Sequence, residues 1–139
     1  MKPDKKYGWY DSEADYLSYF KGTLIDDEPI GFFACVGDAI RTFKLSGPAR
    51  IRFVAACVRK LLQLGAVTCI PGSPEYNHDW VSTDAYGTKS GDIYRNVLNE
   101  WIEAGASAVP PWTGVWFGLP SQVTPVEKAE FIPPEKRRR

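Results

Sequence analysis

The stretch "SGPARIRFVAACVRKLLQLGAVTCI", residues 46–70, decides the fold class, because its hydrophobic period changes partway along. Up to Leu64 the apolar residues recur at three- and four-residue intervals. Ile51, Val54, Ala55, Val58, Leu61 and Leu62 therefore share one stripe of a helix, with Arg52, Arg59 and Lys60 largely off it. Ser46 is placed to cap that helix, Pro48 falls in its first turn, and Gly65 supplies a left-handed exit. Directly after Gly65, "AVTCI" (66–70) is a short β-branched run closed by Pro71-Gly72, as a strand would be.

Downstream, "PGSPEYNHD" has loop chemistry and "WVST" reads as the return strand. A second loop, "YGTKSGD", leads into "IYRNVLNEWIEAG", where Ile93, Val97, Leu98, Trp101 and Ile102 form the apolar face of a helix and Gly105 its stop. "TGVWFGL" (113–119) has the composition of a final strand or extended packing segment.

Upstream, "DSEADYLSYFKG" predicts a short helix, with Ser12 and Asp15 at capping-box spacing and Gly22 at the exit. "DDEPIGFFACVGDAIRTF" predicts a second, started by its acids and Pro29, with Ile30, Phe33, Val36 or Gly37, and Ile40 on one face. The expected fold is α+β and mainly helical, about four helices with a small antiparallel sheet. Residues 1–126 are expected to form one globular domain. Residues 127–139, with Pro133-Pro134 and four terminal basic side chains, are expected to be a flexible basic tail.

With 139 residues, 44% of them hydrophobic, the chain is long enough to bury a core without disulfides or a structural metal. Seventeen basic and seventeen acidic residues cancel, so bulk charge favours neither nucleic acid nor an anionic membrane surface. Cys35, Cys57 and Cys69 lie in apolar surroundings and are odd in number, which predicts reduced thiols and a cytoplasmic compartment. The opening "MKPDKKYGWYDSEADY" has no apolar run of the kind a signal peptide needs. The uncharged stretch 104–126 is broken by four prolines, so no membrane span is expected.

No segment has a phosphate-binding, dinucleotide-binding or nucleophile-elbow pattern. His78 is the chain's one histidine, and the cysteines lack a Cys-x-x-Cys spacing, so neither a metal site nor a cofactor is expected. Asp26-Asp27-Glu28 lacks the alternating oxygen donors of a calcium loop and suits a helix start instead. "EYNHDW" (75–80) reads as the polar tip of a loop suited to recognition.

Charge placement is more informative than its sum. Residues 39–74 hold six basic side chains and no acid, whereas residues 75–103 hold six acids against two basic residues. Aromatic side chains ringed by charge are a usual composition for tight interfaces. The candidate partner-binding residues are therefore Glu75, Tyr76, His78, Asp79, Trp80, Asp84, Tyr86 and Asp92; no catalytic set is expected.

Two function classes lead, ahead of an enzyme whose catalytic groups would be assembled from residues far apart in sequence. Three helices followed by a hairpin match a winged-helix order, with the 47–64 helix in a major groove and the 71–79 loop as the wing. Glu75 and Asp79 in that wing, and zero net charge, count against it. The other class is a non-enzymatic binding protein. Together "YLSYF", "IYRNVLNEWIEAG" and "PPWTGVWFGLP" resemble the small bacterial immunity proteins of polymorphic toxins, contact-dependent growth inhibition systems included. The resemblance covers scattered pieces of residues 12–120 and carries no individual binding residue across. It implies a cytoplasmic protein that binds one cognate toxin domain, in many cases a nuclease, and blocks its active site. An acidic face would then mimic nucleic acid.

Overall fold

A computed structural model describes residues 7–26, 28–111 and 113–137. The helix at the centre of the sequence is also the centre of the packing. It spans Gly47–Gln63 (α4) and is contacted by α1 (Glu13–Ser18), α2 (Phe20–Asp26), α3 (Phe32–Gly37) and α5 (Ser90–Glu103). Its start follows the expected logic in part: Pro48 lies in the first turn, but Ser46 makes no side-chain capping bond. Its end follows fully, since Gly65 adopts φ +94, a conformation that β-carbons disfavour.

The buried stripe of α4 is wider than expected and turned. Val54, Val58, Leu61 and Leu62 are buried as the spacing predicts, while Ile51 and Ala55 are only half-buried. Phe53 and Cys57 take their place in the core. The reason is that α4 has neighbours on more than one side. Phe53 meets Phe43 and Tyr16, at ring-centroid distances of 4.9 and 5.5 Å, while the other side of the helix faces α5.

The first helix begins as predicted, with the Asp15 amide donating to Ser12 Oγ (3.0 Å). The Asp15 carboxylate reaches back to the amide of Asp11, one residue earlier than a capping box requires. Gly22 is not an exit: the chain turns at Tyr19 and continues helically through it to Asp26. The second expected helix also starts later than its Pro29 signal. Ile30–Gly31 form strand β1, α3 begins at Phe32, and a wider π turn over Asp38–Thr42 completes it. Phe32, Cys35, Val36 and Ala39 are buried, whereas Phe33 and Ile40 are only partly so. Pairing to a strand some eighty-five positions away overrides the local helix signal: Ile30 pairs with Phe117 and Gly31 with Trp116.

The remaining strands are β2 (Val67–Pro71), β3 (Trp80–Ser82) and β4 (Trp116–Gly118). They form an antiparallel sheet in the order β1-β4-β2-β3. The fold is thus α+β and mainly helical, with four helical units once α1–α2 and α3 with its π turn are each taken together. Alternation along β4 splits the packing between the sheet's two faces. Phe117 points into the helical core, and Trp116 points the other way onto Cys69, Val123, Trp80 and Phe33. Ile102, placed on the buried face of α5 by its spacing, is 39% exposed, because Trp101 and Leu98 already fill the contact. All three cysteines are free and buried, and burial pushes the Cys69 thiol up to about 12. Among the described residues no helix is long and apolar enough to cross a membrane.

Candidate partner-binding face

Beyond its strand pairing, the β2–β3 hairpin closes through a tight approach at Gly72. The Gly72 amide donates to the Asp79 carbonyl (2.9 Å), and a β-carbon at Gly72 would sit 2.2 Å from the His78 carbonyl oxygen. Only glycine fits there, and the 73–79 loop is thereby folded back toward the sheet. The outer edge of β3 is covered rather than open. Ser82 donates to the Thr124 carbonyl and Thr124 to the Trp80 carbonyl, both at 2.9 Å.

From Thr124 the chain runs on along the same hairpin. Residues 130–137, expected within a flexible tail, make specific contacts with the loop. Asn77 donates to the Glu130 carbonyl (3.0 Å) and Ile132 to the Glu75 carbonyl (2.8 Å), while within the segment itself Arg137 Nε donates to the Ile132 carbonyl (2.9 Å). Tyr76 and Phe131 meet edge to face at 5.9 Å. Two clefts lie between hairpin and C-terminal segment. One, of about 330 Å³, is lined by Tyr76, His78, Asp79, Ile132 and Lys136 among others. The other, of about 360 Å³, lies across β3, between the 83–88 loop and residues 120–127.

The expected residues divide accordingly. Tyr76, His78 and Asp79 share the first cleft, Asp84 lines the second, and Glu75 is exposed on the loop beside them. His78 Nδ1 lies 3.4 Å from Thr124 Oγ1, at the limit of a hydrogen bond. Among the described residues no three His, Cys, Asp or Glu side chains are grouped to hold a metal. Trp80 is partly exposed, but its ring lies on Trp116 at 4.9 Å and takes part in the packing of the sheet.

Tyr86 and Asp92 belong to the flank of α5 instead. The Tyr86 hydroxyl donates to Glu100 Oε1 (2.6 Å). Burial, and then the Glu100 hydrogen bond and charge, push that phenol up to about 12. Asp92 is paired with Arg95, one turn along the same helix.

Sequence reasoning missed the C-terminal contribution: Glu127, Phe131, Ile132 and Lys136 come from a segment with no hydrophobic period. The same segment redistributes charge. Lys136 stands in the first cleft with Asp79, whereas the second is lined by Asp84 and Glu127 with no basic side chain. Of these two clefts, the second therefore has charged lining residues of one sign, both acidic.

The basic helix is partly committed within the chain. Arg50 donates to the carbonyls of Leu45 (3.0 Å) and Ala106 (3.1 Å), and Arg59 donates to the Tyr94 hydroxyl (2.8 Å) and lies over its ring. No protein family, no curated protein and no solved structure matches this chain.

Proposed function

We propose that this protein is a non-enzymatic binding protein of the immunity type, whose partner is a basic toxin domain with nuclease activity. The observation that carries the reading is the convergence of two distant segments, 75–84 and 124–136, on one face. That face bears two clefts, exposed carboxylates and a partly exposed aromatic pair. Apolar anchors with acids around them suit a partner whose own surface is built to hold phosphate. The winged-helix alternative has less support, because a recognition helix needs a free face and free basic side chains. Here α4 is contacted by four other helices, and Arg50 and Arg59 are engaged within the chain.

The test is co-expression with the polypeptide encoded immediately upstream in the genome. The reading expects a complex that survives gel filtration, together with protection of cells from that polypeptide's toxicity. If the upstream polypeptide neither co-purifies nor harms cells, the immunity function is abandoned.

A further inference from the structure

The cleft between β3, the 83–88 loop and residues 120–127 combines apolar walls with carboxylates that have no partner within the described residues. Its walls are apolar: Val67, Ile93, Pro120, Val123, Pro125 and Val126. Its polar lining includes two carboxylates, Asp84 and Glu127, neither of which forms an ion pair or a side-chain hydrogen bond among the described residues. The hydroxyls of Thr68 and Ser82, by contrast, are already used, donating to the Thr83 carbonyl and accepting from the Val126 amide.

We propose that this cleft is a socket for one aliphatic-stemmed cation of the partner, an arginine or lysine side chain; the inference rests on the binding function proposed above. The chemistry of such a side chain matches the lining in order. Its methylene stem lies against prolines and branched aliphatics, while its charged head stays at the wet rim beside the carboxylates. A volume of about 360 Å³ leaves room for the whole side chain and for bridging water. A neutral apolar side chain would fill the walls but leave Asp84 and Glu127 without a partner. An acidic one would be repelled.

The socket is tested without the partner, by titrating the protein with N-acetyl-arginine amide and N-acetyl-lysine amide and following backbone amide resonances. N-acetyl-norleucine amide, which keeps the stem and lacks the charge, is the control. The expected result is saturable shifts confined to Thr83, Gly87, Thr88 and Ile93 with one or both cations, at dissociation constants on the order of 10 mM. Both cations should weaken with salt. Asp84→Asn and Glu127→Gln should each weaken binding by roughly two- to fivefold, the scale of an exposed charge pair. Both residues are exposed, so these variants should keep the wild-type spectrum elsewhere.

No saturable shift with either cation up to about 50 mM, or equal binding of the norleucine amide, overturns the socket. So does unchanged affinity in the doubly substituted variant. The two proposals fail separately. Saturable arginine or lysine binding without any upstream partner keeps the socket and removes the immunity function. A complex that forms equally well with the double variant keeps the function and removes the socket.

Discussion

Replacing Phe53 with Ala tests which way α4 faces, because the periodicity of its sequence and its observed packing disagree about that residue. Periodicity alone places Ile51 in the stripe and Phe53 outside it, whereas Phe53 is 2% exposed and Ile51 is half-buried. Losing the phenyl ring removes a fully buried apolar group, worth about 1.5–3 kcal/mol of transfer free energy. It also removes ring contacts to Phe43 and Tyr16, at about 0.5–1.5 kcal/mol each. The void that remains adds to this, so the expected cost is about 4 kcal/mol, within the usual range for such truncations. Ile51→Ala removes a side chain already partly in water and should cost about 2 kcal/mol or less. Urea unfolding reads both. With a slope of about 2 kcal/mol per molar, the two midpoints should differ by about 1 M, with Phe53→Ala the lower. If Ile51→Ala proved equal or worse, the helix would be turned as its sequence period suggests and the described packing of α1 and the 38–43 turn against it would be wrong.

Other outcomes follow from individual contacts. Cys69 and Tyr86 are both held near 12, above their ordinary values of 9.0 and 10.0, so folding favours their protonated forms. That stabilisation is complete below the ordinary values and is lost as pH rises through about 12. Urea midpoints should therefore be level to about pH 9 and fall beyond it, and Tyr86→Phe should make the fall above about pH 10 shallower. Arg50→Ala should cost about 1–3 kcal/mol in the same assay by stranding the carbonyls of Leu45 and Ala106, whereas Arg52→Ala should change little. A chelator should leave the melting temperature unchanged, and a large drop would reveal a structural metal.

Much of the fold could be read locally. The β2–β3 hairpin, the buried positions Ile93, Val97, Leu98 and Trp101, and the final strand each carry their own period and turn residues. What could not be read depends on distant pairing. β1 is two residues long and exists because β4 lies beside it, so Pro29-Ile30-Gly31 looks like a helix start when taken alone. The candidate face was half legible for the same reason. Acids and aromatics in 75–84 stand out by composition, but Glu127, Phe131 and Lys136 are brought beside them by backbone hydrogen bonds of Thr124, Glu130 and Ile132, which leave no pattern in side chains. Tyr86 and Asp92 show the reverse: near the loop in sequence, they are bound to Glu100 and Arg95 on the flank of α5, a placement their position in the chain does not reveal.

The central claim, that this face attracts a basic partner, is tested most directly by the association rate constant with the upstream-encoded polypeptide as a function of salt. Wild-type association should slow steeply as ionic strength rises. Asp84→Lys should slow it by roughly tenfold at low salt and flatten that dependence, because one reversal changes the local charge by two units. A rate and salt dependence unaltered by Asp84→Lys, in a complex that still forms, would place the interface elsewhere and contradict the account.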